Sequence, residues 1–306
     1  MANWLKRLLT GILITLVIGA GGWYFLVTSY SAELTTENEI LIEDSTYSVS
    51  NQSNDELATV SFSYGEDNLE WSKLVMSISQ NGTQYDCTKS GLTSSMYHGG
   101  PIQSKLNSDG NSFTIEANSD SEDFILFSFS DMQQTNDTNY SIRFSKTDIF
   151  FGENISGFIS EEEFQNVNAV PTGEPTESSE ARLEWYDYDL SVHRVIPKQI
   201  TYIANESNMF YKMQFLSYYN SEDETRHISF IISSIGDIEA PAIQNENLTK
   251  EAGCIISSVN QSAWMSDETI FIYENGFNIC SSSCTLEVEI RYLNQIVKGI
   301  REIIVD

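Results

Sequence analysis

Apolar and polar residues alternate one by one along much of this chain, and that pattern suits only one kind of backbone. Val60, Phe62 and Tyr64 alternate with Thr59, Ser61 and Ser63; Tyr140, Ile142 and Phe144 alternate with Ser141, Arg143 and Ser145. Successive side chains of an extended strand point to opposite faces, whereas a helix would need its apolar residues three or four apart. These segments are therefore half-buried strands. Further apolar runs at Leu74–Ile78, Phe113–Ala117 and Phe124–Phe129 are punctuated by Asn81-Gly82, Gly99-Gly100 and Asp109-Gly110. That spacing predicts about seven short strands between residues 33 and 160, as in a β-sandwich.

The second half repeats the theme. Gln199–Ala204 and Met209–Tyr219 read as a hairpin with a four-residue loop at Asn205–Asn208, and Met209, Tyr211, Met213 and Phe215 share one face of its second strand. Ile228, Phe230 and Ile232 form the core face of the next strand, which sends His227 to the opposite side. Later strands are expected at Glu268–Tyr273, Leu286–Tyr292 and Gly299–Val305. Between the halves, Glu161–Ala181 is acidic and holds two of the five prolines, which suits a linker better than a core. A chain of 306 residues is long enough for roughly two such units.

Leu8–Val27 is a run of twenty residues without a charge, enough at about 1.5 Å per residue to cross the ~30 Å hydrocarbon layer. Lys6 and Arg7 precede it and the first ionisable residues beyond it are Glu33 and Glu37, so residues 1–7 are expected in the cytoplasm and the rest outside. The expected fold class is thus mainly β: an N-terminal single transmembrane helix over 8–27, then two antiparallel β-sandwich-like domains at 33–160 and 182–306, joined by the linker 161–181. Eight Asn-x-Ser/Thr sequons, all beyond the apolar run, suit an exported glycoprotein. The cysteines are Cys87, Cys254, Cys280 and Cys284. Outside the cell they are expected in disulfides, with three pairings open; if the two domains fold independently, Cys254 pairs with Cys280 or Cys284.

Charge and motif content exclude several functions. A net charge of −28, from 44 Asp and Glu against 16 Lys and Arg, leaves no basic patch for a nucleic-acid backbone. No Gly-x-Ser-x-Gly, no His-Glu-x-x-His and no phosphate-cradling glycine loop is present, and Cys280-Ser-Ser-Ser-Cys284 lacks the second pair that structural zinc needs. A non-catalytic protein is expected, with no metal site.

Two stretches resemble known families. Trp185-Tyr186-Asp187-Tyr188, His193, Ile196-Pro197-Lys198, Tyr202-Ile203 and Tyr211-Lys212-Met213-Gln214-Phe215-Leu216-Ser217-Tyr218-Tyr219 resemble the HmuY family, over about residues 183–234. That resemblance implies an exported, membrane-attached β domain that binds haem. Haem needs an imidazole or thioether beside an apolar slot, so His193, His227 and Met213 become the candidate cofactor-binding residues, with Met209 a further thioether. Arg194, Lys198 and Lys212 are the basic residues available to the propionates. Ser63–Cys87 is similar to the head domains of archaeal pilin-like surface proteins, which implies the alternative of a structural or adhesive envelope protein that contacts other surface proteins or glycans.

Overall fold

The computed structural model describes residues 39–42, 47–48, 56–63, 71–95, 100–136, 138–236, 238–258, 269–280, 283–292 and 295–304, together with 19 and 21. The expected membrane segment Leu8–Val27 lies outside the described residues apart from Gly19 and Gly21. Among the described residues no helix is long and apolar enough to cross a membrane. The fold is mainly β, as the alternation predicts. In Phe113–Asn118 every second side chain is buried, and the pair Asn81-Gly82 takes positive φ values of 52° and 82° to turn Leu74–Gln80 back into Thr83–Thr88.

The sheets do not follow the expected division at 161–181. One sheet of nine strands runs, in spatial order, Glu39–Ile42, Glu56–Ser63, Thr269–Glu274, Cys254–Ser258, Thr83–Thr88, Leu74–Gln80, Cys284–Tyr292, Gln295–Ile304 and Tyr47–Ser48. It is made from the two flanks of the described chain. The segment between them forms a six-stranded sheet, Ser156–Ser160, Thr201–Glu206, Met209–Tyr219, Thr225–Ser234, Phe113–Asn118 and Ile102–Leu106. A four-stranded sheet, Gln133–Thr135, Ile125–Ser128, Ile142–Ser145 and Asp148–Phe151, lies over one face of it. Phe230 joins the two layers, with ring centroids 5.7 Å from Phe127 and 5.9 Å from Phe144. So Phe113–Asn118 pairs with Thr225–Ser234 and Cys284–Tyr292 with Leu74–Gln80, each across the boundary that composition suggests. Two units remain, but the sandwich is inserted within the nine-stranded sheet. Composition marks where a chain is polar; it does not say which strands meet.

The insertion leaves and returns at one place. Leu92–Ser94 pairs with Thr249–Glu251, and the Ala252 amide donates to the Gly91 carbonyl at 2.8 Å. Just outside this stem, Cys87 and Cys254 face each other on paired parallel strands and are disulfide-bonded, closing a separation of 167 residues. Cys280 pairs with Cys284. The pairing of Cys254 with Cys280 or Cys284 expected for independent domains does not arise, because Cys254 lies directly opposite Cys87 on the neighbouring strand.

The acidic segment expected as a free linker is a packed strap. Phe164 and Val167 are buried, and Val167 packs with Phe158 and Ile203 on the outer face of the six-stranded sheet. Lys212, opposite Ile203 on that sheet, donates to the carbonyls of Phe164 and Val167 at 2.8 Å each, and its Nζ lies 4.6 Å from the Phe164 ring centre. Burial pushes its ammonium down to about 8, and either protonation state keeps both donors.

Candidate functional site

The HmuY-like stretch opens with a hairpin and continues into three strands of the six-stranded sheet, Thr201–Glu206, Met209–Tyr219 and Thr225–Ser234. The strands of the hairpin are Tyr186–Asp189 and Arg194–Pro197, paired Tyr186 to Pro197 and Asp189 to Arg194. The four-residue loop is fixed locally: the Ser191 amide and hydroxyl donate to Asp189 Oδ1 at 2.7 and 2.6 Å, and those bonds hold the carboxyl below its usual range. His193 closes the loop in the left-handed region at φ 54°.

One side of the hairpin is tied to the core. Trp185 is fully buried, donates Nε1–H to the Thr147 carbonyl at 2.9 Å and packs 5.1 Å from the Phe215 ring. The Val195 amide donates to the Tyr219 hydroxyl at 3.0 Å, and Arg194 stacks on the Tyr219 ring while pairing with Asp223. The tip and part of each strand are exposed: Leu190 is 76% exposed, Val192 58%, Tyr188 51% and Ile196 46%, the last two on opposite faces of the hairpin. An apolar cluster this open on one hairpin is unusual for a surface of such charge, because isolated exposed apolar residues are ordinary and grouped ones mark contact sites.

The three expected cofactor-binding residues are dispersed. His193 is exposed on the hairpin tip, and its Nδ1 lies 3.3 Å from the Tyr188 hydroxyl, which leaves Nε2 as the nitrogen directed elsewhere. His227 sits on Thr225–Ser234 with Nδ1 3.3 Å from Glu116 and Nε2 3.8 Å from Glu224. It borders an open cleft of about 360 Å³ that Gln103, Glu116, Asn118, Ser121 and Glu122 also line. Met213 is fully buried between Tyr202 and Ile232 in the sandwich core. Nothing brings these three donors to a common point. His193 is exposed beside Leu190 and Val192, His227 lies between two carboxylates, and Met213 is enclosed by core side chains.

The basic residues expected for the propionates are also engaged: Arg194 by Asp223, Lys198 at 3.8 Å from Asp187, and Lys212 beneath the strap. Sequence reasoning singles out His193 but misses the apolar tip around it. Its signal was Leu190 and Val192 standing alternately among Asp189, Ser191 and His193, too short a run to be read as a strand. Among the described residues no group of three His, Cys, Asp or Glu side chains could hold a metal ion.

Fold and site together define a mainly β, disulfide-bridged protein with an exposed apolar hairpin. No family model and no curated protein matches the chain. Solved structures do, over part of it. A protein assigned as a lipoprotein in Bacteroides fragilis is 9% identical, covering 40% of this chain and 91% of its own, at a TM-score of 0.34. A protein assigned as HmuY-like and haem-binding in Bacteroides vulgatus is 12% identical, covering 40% and 92%, at 0.32. The apo HmuY analogue of Tannerella forsythia is 11% identical, covering 59% and 98%, at 0.28. The structural neighbours thus include HmuY-like haem-binding proteins.

Proposed function

We propose that this chain is a non-catalytic, membrane-anchored, extracytoplasmic binding protein that takes its ligand on the hairpin Tyr186–Pro197, with haem as that ligand. The observation that carries the reading is the grouping of His193 with Leu190, Val192 and Tyr188 on one exposed tip. Haem supplies an iron that accepts an imidazole nitrogen and a broad apolar face that gains from leaving water. A bound haem would take His193 Nε2 at its iron, with Tyr188 holding the imidazole through Nδ1 and Leu190 and Val192 offering apolar surface to the macrocycle.

Haemin titration of the soluble ectodomain, residues 33–306, tests this. A Soret shift at micromolar haemin that disappears in His193→Ala and persists in His227→Ala supports it. No shift in the unsubstituted protein removes haem and leaves the second reading, a structural or adhesive envelope protein. The same exposed hairpin favours that reading, since Leu190, Val192 and Ile196 suit the core of a protein contact.

A further inference from the structure

On the outer face of the four-stranded sheet one arginine differs from the others. Among the described residues the arginines with described side chains are Arg143, Arg182, Arg194, Arg226 and Arg291. Four of them hold carboxylates, Arg182 to Asp148 and Glu184, Arg194 to Asp223, Arg226 to Asp120 and Arg291 to Glu289. Arg143 holds none among the described residues, in a chain of 44 acidic residues where a carboxylate is the commonest charged neighbour. Its Nε is buried and has no acceptor.

What surrounds Arg143 is aromatic. It sits on Ile142–Ser145 opposite Phe150 on one side and Leu126 on the other, while its sequence neighbours Ile142 and Phe144 point into the core. The guanidinium carbon lies 5.0 Å from the Phe124 ring centre and 4.8 Å from that of Phe150. Two rings attract the cation without neutralising it, because a ring quadrupole draws a cation and accepts no strong hydrogen bond from the guanidinium. Phe124 is 53% exposed and precedes its strand, so it is the ring free to turn aside. A buried donor without an acceptor costs free energy that a bidentate carboxylate would recover.

We propose that Arg143, Phe124 and Phe150 form a binding site for an organic carboxylate on an apolar or aromatic body: the guanidinium takes the carboxylate and the rings cover the body. Benzoate is the probe, with benzamide as its neutral isostere and inorganic sulfate as the bare ion. In the folded ectodomain, NMR should show benzoate saturably shifting the Arg143 Nε–H and Phe124 ring signals, with benzamide at least tenfold weaker. Arg143→Gln, checked for native thermal unfolding, should lose the response, and Phe124→Leu should weaken benzoate more than sulfate. The benzoate and benzamide comparison needs no variant, so a poorly folding Arg143→Gln leaves the test intact. No saturable shift at tens of millimolar benzoate, or equal binding of benzoate and benzamide, overturns the proposal. Sulfate binding as tightly as benzoate means an adventitious ion only and overturns it as well.

Discussion

The nine-stranded sheet is assembled from the two flanks of the chain, and the sandwich from what lies between, and their stabilisation differs accordingly. The sheet must bring residues near 57 and 290 together, and it does so with a core of mostly aliphatic side chains plus a covalent bridge. The sandwich relies on interlocked rings, with Phe230 touching Phe127, Phe144 and Phe215. Long closure is expensive in chain entropy and a disulfide offsets it in the unfolded state, whereas aromatic packing acts in the folded state. The difference teaches that one chain can solve the same problem, sheet on core, by restricting its unfolded form in one unit and by filling space in the other.

Removing the Cys87–Cys254 bridge with paired serine substitutions should have the largest effect. A closure of 167 residues corresponds to about 5 kcal/mol in the chain-entropy account. Denaturant titration should show the loss first at Trp71, packed in the sheet core, with Trp185 in the sandwich responding later. Simultaneous loss at both tryptophans would show that the two cores unfold as one. Phe230→Ala comes next, at about 4 kcal/mol, and should reverse that order.

Lys212→Met should cost roughly 2 kcal/mol, because the Phe164 and Val167 carbonyls lose their donors. Limited proteolysis within 161–181 would report the released strap. Lys212 also gives the sandwich a pH signature. Its folded pKa, about 8, lies below the unfolded value of roughly 10.4, so between these values the unfolded chain binds the extra proton. Stability should therefore rise with pH from about 8 towards 10, and Lys212→Met should flatten that rise. Above about 10 the buried phenols Tyr202 and Tyr211, both pushed upward by burial, turn the slope downward. Serine substitution of Cys280 and Cys284, separated by only 4, should cost about 2 kcal/mol or less. Leu190→Ser should change stability by less than about 0.5 kcal/mol while weakening ligand capture at the hairpin.

Strand content was legible because period two is local: Phe113, Ile115 and Ala117 declare a strand within six residues. Pairing was not legible, since nothing in Thr225–Ser234 names Phe113–Asn118 as its neighbour. The strap was misread for a related reason. Its polar composition hides two buried anchors, Phe164 and Val167, whose purpose depends on a lysine 45 and more residues away. At the candidate site, residue type offers His193, His227 and Met213 alike; the fold sets the first on an exposed tip, the second between two carboxylates and the third in the core. Arg143 looked like an ordinary outward residue of an alternating strand until its missing carboxylate could be compared with the other arginines.

The bridge beside the stem also decides how the protein carries load. A pull applied between the two flanks of the chain runs to Cys87, crosses the sulfur bond to Cys254 and continues. The inserted sandwich, with the hairpin and the Arg143 face, hangs from that line and bears no tension while the bridge is intact. Reduction would pay out the whole insertion as slack, so force spectroscopy should record a contour-length gain of about 0.35 nm for each of the 167 residues only in reducing buffer.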